Sequence, residues 1–570
     1  MNKGQVLERL EEMAVLLELN DANPFKIRAY QNAVRTLETA AQDMAFLLES
    51  GELEKLKGIG KGLSQQIRAW AMGEPDPDYE TLKAETPPGL LEMLQISGLG
   101  PKKVSAIYAQ LGIASLGELE YACHENRLVT MKGFGAKTQA NILQGLEFLK
   151  TRQGLFLFPF AQEKASVVLD WLKHASGLRA CALAGSLRRA KEVVKDIDLV
   201  GACEESEREA IMAHFVSLPQ CEAILGQGLT KTSVRLTSGL NVDFRLVSEA
   251  EYPFLLLHMT GSKEHNTALR ALAKDQGLKL NEYGLFRGEE SHACESETAI
   301  FTALGLPWIP PELRENNGKV VAGADFSDLI TVQDLKGVFH AHTTWSDGAD
   351  SLEAMVKACQ QRGYSYLGVS EHSQSAVYAH GLEVERVRAQ WQEIDALNAR
   401  LEHFKIFKGI EVDILPDGSL DYPDELLAGF DFVIASVHSR FKMTEAEMTE
   451  RILKAIHHPL VTMIGHLTGR ILLAREGYPV NVPAVLAACA QTGTVMELNA
   501  HPSRLDLDWR YGALAHQLGV QLAISPDAHS CDGLDVVAYG VGVARKGAWP
   551  RSAVINTLAL PEICAWLANK

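Results

Sequence analysis

The sequence has little cysteine and no pattern in it: nine cysteines in 570 residues, with no C-x-x-C pair. That excludes a disulfide framework and a thiolate zinc finger, and leaves reduced, mostly buried thiols in a cytosolic protein as the expectation. Long apolar runs are also missing. In the first twenty residues, MNKGQVLERLEEMAVLLELN, charges interrupt every apolar stretch, so neither a signal peptide nor a membrane span is expected. Nor is there an excess of positive charge. Lys and Arg number 55 against 72 Asp and Glu, a net −17, which excludes a globally basic nucleic-acid coat and leaves room for local basic patches. Hydrophobic content of 46% and charged content of 22% are ordinary for a globular chain, and the length is enough for several domains.

What is there begins with a repeat. Residues 1 to about 150 carry apolar positions at helical spacing (Leu7, Leu10, Met13 and Leu17; Ile27, Tyr30, Val34 and Leu37). Within them a Gly-apolar-Gly unit recurs three times: LKGIGKGLSQQI around Gly58 and Gly60, ISGLGPKKVSAI around Gly98 and Gly100, and MKGFGAKTQANI around Gly133 and Gly135. Two glycines allow a tight turn with exposed N–H groups, and a helix N-terminus follows at once. Such a turn can hold a phosphate without reading a base, with Lys61, Lys102 and Lys137 as added charge. The unit resembles the helix-hairpin-helix motif of DNA-binding proteins.

From about 155 to 318 strand-like runs (ACALAGS, DIDLVGA, KTSVRLTS, NVDFRLVS) alternate with helices. Asp196 and Asp198 stand two apart on a strand and so face one way; Asp243 lies on another strand. Three clustered carboxylates call for a cation, and two Mg²⁺ ions would suit in-line phosphoryl transfer. Gly185, Ser186 and Arg189, just upstream, fit a triphosphate. With the downstream MTGSKEHNTALR and KLNEYGLF, this part resembles the nucleotidyltransferases of DNA polymerase family X.

That resemblance implies Asp196, Asp198 and Asp243 as catalytic metal ligands for Mg²⁺ or Mn²⁺. It implies nucleotide contacts at Gly185, Ser186, Arg189, Gly261, Ser262, Lys263, Asn266 and Arg270, and a 5′-phosphate patch in FKIRAY that holds Lys26 and Tyr30. The family often has an aromatic pair before T-G-S where this chain has His258 and Met259, so ribonucleotide discrimination is not implied. The family's lyase lysine aligns with Gln66, an amide that cannot form a Schiff base; Lys57 and Lys61 sit on the hairpin instead, as phosphate contacts.

After a proline-rich, linker-like stretch at 306–335, seven apolar runs follow: GVFHAH, YLGVSEH, IFKGIEVD, FVIASVH, VTMIGH, VMELNAH and QLAISPDAH. Strands alternating with helices, with chemistry at the strand ends, predict a distorted seven-unit β/α barrel. Nine ligand-competent residues collect there: His340, His342, Asp347, His372, Glu411, His438, His466, Asp527 and His529. Mixed imidazole and carboxylate donors suit two or three Zn²⁺ or Mn²⁺ ions and phosphoester hydrolysis. Asn499 and His501 are candidates for the pocket wall, Arg440 and Arg470 for DNA phosphates. The pattern resembles the PHP phosphoesterase domain.

The expectation is a multidomain chain: an α-helical helix-hairpin-helix region, an α/β (α+β) nucleotidyltransferase palm and thumb, and a seven-unit PHP barrel. The expected boundaries are 1–85 for the first DNA-binding domain, 86–153 for a fingers-like region, 154–247 for the palm, 248–318 for the thumb, 319–335 for a linker and 336–570 for the barrel. It would be a monomeric, cytoplasmic, nucleoid-associated repair polymerase. It would use dNTPs to fill gaps in primed or gapped double-stranded DNA and would trim 3′ ends, with AP endonuclease action as an added option. Two rivals are a sugar-phosphate phosphatase fused to a nucleotidyltransferase, which leaves three hairpins unused, and a DNA-binding scaffold with dead sites, which would have lost ligands.

Overall fold

The computed structural model describes residues 3–570 except 39, 41–43, 57, 125–126, 130, 153 and 316–324. Lys57, expected on the first hairpin, and part of the expected linker fall outside the described residues. The chain divides into two compact units, 1–153 and 154–570, and no helix of the described residues is long and apolar enough to cross a membrane.

The first unit is helical, with one core around Leu10, Met13, Leu37 and Trp70 and a second around Met93, Val104, Leu119 and Leu146. Each Gly-apolar-Gly unit is built alike. Gly58, Gly98 and Gly133 take φ of 97°, 87° and 90°, the left-handed region that a side chain disfavours. Ile59, Leu99 and Phe134 plug the core. Gly60, Gly100 and Gly135 then open the helices Lys61–Ala71, Pro101–Leu111 and Ala136–Arg152. One buried apolar residue between two exposed glycines pins the turn, and its own amide donates back to a carbonyl three residues earlier (Leu56, Ile96 and Met131).

The second unit starts with a five-stranded sheet: β1 (Ala180–Leu183), β2 (Asp196–Ala202), β3 (Cys221–Gln227), β4 (Lys231–Leu236) and β5 (Asn241–Val247), in the order β1-β2-β5-β4-β3. Only β2 and β5 pair in parallel. Alternating burial along β5 puts Val242, Phe244 and Leu246 into the core beside Phe215, under the helices Phe158–Leu172 and Arg208–Val216. The helices Tyr252–Thr260, Lys263–Asp275 and Glu297–Ala303 and a small antiparallel sheet follow around Phe254, Leu269 and Phe301. The proline-rich stretch from 306 has a linker-like texture, yet its first part belongs to this layer, inside the expected thumb bounds of 248–318. Leu306 and Ile309 are buried, and Arg314 is fully buried, donating to Glu297 (2.6 Å) and to the Ile309 carbonyl (2.9 Å). Prolines there shape a packed turn.

The last part is a sheet of seven parallel strands in sequence order: β6 (Gly337–Val338), β7 (Tyr366–His372), β8 (Lys405–Asp413), β9 (Phe432–Ser436), β10 (Met463–Ile464), β11 (Val495–Asn499) and β12 (Leu522–Ser525). An isolated parallel bridge between Ala341 and Ala528 brings its two edges together, so the barrel is nearly closed. Its strands are buried on both faces, which is why they read as apolar runs without alternation. Phe339, Tyr366, Phe407 and Phe432 fill the end where the strands begin, closed by Ile563 of the final helix. The opposite end is left to polar side chains.

Candidate active sites

In the sheet, the register sets Asp198 opposite Asp243 and Asp196 opposite Asn241. The three carboxylates therefore share one edge of the parallel pair. Gly185, with φ of 62°, lies against them; a Cβ there would come within 2.1 Å of Asp198 Oδ2, so this turn requires glycine. Burial, then Asp196 and Asp243, push the Asp198 carboxyl up to about 6 and raise Asp196 as well. Asp243 goes the other way. Burial would raise it, but hydrogen bonds from Lys231 Nζ (2.7 Å) and Ser233 Oγ (2.6 Å) outweigh that and hold it below the usual range. Drawn to Lys231, the triad does not close to within metal-ligand spacing of one another.

Beside it, Arg189, His258, Met259, Gly261, Ser262, Lys263, Asn266, Thr267 and Arg270 line one cavity of about 380 Å³. Ser262 caps the helix Lys263–Asp275 through its Oγ. Asn266 donates to the His258 carbonyl (2.7 Å), and Arg270 lies 3.0 Å from His258 Nδ1. Arg189 is engaged: Nε donates to Glu315 (2.7 Å) and a terminal nitrogen to the Thr260 carbonyl (2.5 Å). Ser186 sits in the short helical turn Gly185–Arg188.

At the barrel end, all nine expected ligands converge. Glu411 is the hub: its oxygens lie 2.9 Å from His372 Nδ1, 3.0 Å from His466 Nε2, 3.2 Å from His438 Nε2 and 3.4 Å from His340 Nε2. Asp527 Oδ1 stands 3.3 Å from His342 Nε2 and 3.5 Å from His340 Nε2. Asp347 faces His529 (3.4 Å) and His372 (3.7 Å) at the more exposed mouth. Three groups have metal-ligand spacing: His342, Asp347, His372 and His529; His340, His342 and Asp527; and His372, Glu411 and His438. The donors fit cations on their own terms. His340 Nε2, both nitrogens of His342, Glu411 Oε2 and His466 Nδ1 are buried without a hydrogen-bond partner. His438 and His466 aim Nε2 atoms at each other across 3.2 Å. Burial opposes charge on His438, yet Glu411 and Asp413 raise it to about 10, the mark of excess negative charge that a cation would balance.

Two buried carboxylates behind the ligands are absent from the sequence reading. Glu497 meets His340 Nδ1 and accepts from the His466 amide (2.6 Å); Asp413 meets His438 Nδ1 and Ser375 Oγ. Each fixes the far nitrogen of a ligating imidazole. Each lies two residues from an expected site position on the same strand, a spacing that gives its face but not the histidine it meets. Asn499 donates to Asp527 (2.9 Å), which places it behind a ligand, and His501 accepts from the Ser503 amide. Arg470 is held by Asp508 and by the Arg504 and Leu505 carbonyls; Arg440 is exposed. In the first unit Lys26, Lys61, Lys102 and Lys137 are exposed. Tyr30 is buried, its hydroxyl donating to Gln66.

Comparison with known proteins agrees with this layout. The DNA polymerase beta thumb model matches residues 255–315, a helix-hairpin-helix domain 1–73, a SAM-like helix-hairpin-helix tandem 90–147, and the PHP domain 339–501. The DNA polymerase/3′-5′ exonuclease PolX of Bacillus subtilis (strain 168) is 39% identical over 571 residues, spanning 100% of this chain and 99% of that one. A probable phosphatase of Thermoanaerobacter sp. (strain X514) is 26% identical over 34% of this chain and 86% of its own length. The crystal structure of Leishmania infantum polymerase beta in a ternary P/T complex matches at 22% identity with a TM-score of 0.27, over 40% of this chain and 99% of that one. With a relative of that identity along the whole length, the chain belongs to the family X DNA polymerases that carry a PHP domain.

Proposed function

We propose that this protein is a DNA-directed DNA polymerase that fills short gaps in repair, and that its barrel hydrolyses 3′-terminal phosphoesters as a 3′-5′ exonuclease. The observation that carries the reading is the pairing of Asp198 with Asp243 beside the cavity lined by Arg189, Ser262, Asn266 and Arg270. The chain's own contribution is placement. Gly185 lets the backbone approach Asp198, so a triphosphate can lie against the turn. Lys231 and Ser233 keep Asp243 ionised and fixed in direction. Lys263 and Arg270 supply positive charge along the cavity. Asp196, Asp198 and Asp243 would hold Mg²⁺ or Mn²⁺, which supplies charge neutralisation for in-line displacement at the α-phosphate.

In the barrel, Asp413 and Glu497 set the tautomers of His438 and His340, while Asn499 holds Asp527. The nine ligands would hold two or three Zn²⁺ or Mn²⁺ ions, which supply a water of lowered pKa. The exposed hairpins of the first unit would grip the sugar-phosphate backbone of gapped DNA as a monomer in the cytoplasm. Incubation with a one-nucleotide gapped duplex, with and without dNTPs and Mn²⁺, tests both activities. Extension with dNTPs and 3′ shortening without them are expected, and neither is expected of a free-standing phosphatase or an inert scaffold. An abasic duplex in the same assay tests AP endonuclease action.

5′-Deoxyribose-phosphate lyase activity by the Schiff-base route is expected to be weak or absent. Gln66 accepts from Tyr30 (2.6 Å) and donates to Asp76 (2.6 Å), so its place is taken by a hydrogen-bonded chain with no amine. Borohydride trapping on a 5′-deoxyribose-phosphate substrate should give no covalent adduct within residues 1–85.

A further inference from the structure

The barrel reaches into the polymerase site through one lysine. The helix Val537–Lys546 is pinned to the neighbouring sheet layer. Tyr539 packs edge-on against Phe158 with ring centres 5.8 Å apart, Arg545 pairs with Glu312 at 2.7 Å, and Arg510 of an adjoining turn pairs with Glu192 at 3.3 Å. Lys546, the helix's last residue, has a fully buried side chain. Its Nζ donates to the Arg189 carbonyl (2.8 Å), lies 3.4 Å from Glu315 Oε1 and stands over the Trp509 ring.

Glu315 is therefore shared. The same oxygen accepts from Arg189 Nε at 2.7 Å, and both side chains of that pair are only 11% exposed. Arg189 lines the cavity assigned to the nucleotide, with its Nε edge held by Glu315 and one terminal nitrogen by the Thr260 carbonyl. To turn its whole fork, the Nε edge included, onto a phosphate it must loosen its hold on Glu315. A buried carboxylate that loses its only cation is strongly disfavoured, whereas one that keeps a second cation is not. Lys546 is that second cation. Burial would raise the Glu315 carboxyl, but Lys546, then Arg189 and Lys191, outweigh it and hold it below the ordinary range.

We propose that Lys546 of the barrel is a positioning residue of the polymerase site, supplying the counter-charge that lets Glu315 release Arg189 to the phosphates of an incoming nucleotide. The inference rests on the reading of that cavity as the nucleotide site. It goes further in making the exonuclease domain a working part of nucleotide capture.

Steady-state filling of a one-nucleotide gap by the full chain tests it. Lys546→Met should raise the KM for dNTP on the order of tenfold with kcat within about twofold. Lys546→Arg should restore most of the affinity, because a guanidinium keeps the charge. Glu315→Gln frees Arg189 and should leave KM at or below the wild-type value. Adding it to Lys546→Met should bring KM back towards wild type, a non-additive cycle. Unchanged 3′-end hydrolysis by the same preparations shows that the barrel is folded. A Lys546→Met protein with unchanged KM, a fall confined to kcat, or an additive double variant would overturn the proposal. If Lys546→Met fails to fold, a raised KM for Glu315→Gln does so alone. A wild-type protein that does not extend removes the cavity's assignment and the inference with it. One that extends while Lys546→Met keeps its KM removes the inference only.

Discussion

The palm sheet and the barrel both gather carboxylates on parallel strands, yet they balance the charge differently. In the palm, the partners of Asp243 are a lysine and a hydroxyl, and its side chain keeps 29% of its exposure. In the barrel, Glu411 and Asp527 are surrounded by imidazoles and almost wholly buried, with several ring nitrogens unpaired. A site that carries its own ammonium and meets water can take up and release cations with each substrate. A buried site that sets unpaired ring nitrogens against carboxylates calls for a resident cation, because several of its polar atoms have no other partner among the described residues.

The largest effect that separates the two is loss of one site with survival of the other. Asp198→Ala should lower gap filling by roughly 10³-fold or more, several kcal/mol of charge stabilisation, with 3′-end hydrolysis within about twofold. His340→Ala with His342→Ala should do the converse. The ligand sets share no residue, so the losses should be independent. Parallel loss of both activities in either variant would break the comparison.

Metal retention comes next. After desalting, the wild-type protein should keep transition metal and lose it only to a strong chelator, with a fall in Tm on the order of 10 °C. Asp198→Ala should show the same fall, and the His340/His342 double variant should show none. Metal analysis beside calorimetry reads both. A wild type that holds no metal after desalting would contradict the resident-cation argument.

Acid response sharpens the contrast on the polymerase side, away from any metal ligand. Burial, then Arg314 and Arg189, lower the His265 imidazole to about 3. Its unfolded value is near 6.5, so between those values the unfolded chain binds the extra proton, and stability falls as pH drops through that window. His265→Asn should remove that part of the acid slope, which a Tm series from pH 7 to pH 4 measures. An unchanged slope would show that His265 takes up its proton in the folded state.

The barrel site was legible because each ligand stands at the end of an apolar run, where a histidine or carboxylate has no reason to be unless the strand end is a working face. Asp196, Asp198 and Gly185 were legible through local spacing. The supports were not. Glu497 and Asp413 read as isolated acids within apolar strands, and only the barrel's closure puts them behind His340 and His438. Arg189 reads as a free cation because Glu315 is 126 residues away. Lys546 ends a helix, where a lysine ordinarily reaches solvent, and is buried only because another layer packs over it. Residues 306–315 look linker-like although they lie inside the expected thumb bounds, because proline marks turns whether or not the turn is packed.

The smallest expected effects test how firmly each site holds a carboxylate. Asn499 and Ser233 do the same job, donating at 2.9 Å to Asp527 and 2.6 Å to Asp243. Their settings differ: Asn499 is fully buried, and among the described residues Asp527 meets only imidazoles and the distant Arg504 besides. Removing a buried donor to a ligating carboxylate frees it to turn, so Asn499→Ala should lower 3′-end hydrolysis about tenfold. Asp243 keeps Lys231 at 2.7 Å when Ser233 is gone, and water can reach the vacated oxygen. Ser233→Ala should therefore slow gap filling by about twofold, read as kcat with saturating dNTP. Equal losses in the two variants would mean that the palm holds its carboxylates as rigidly as the barrel does, and that exposure is not what distinguishes them.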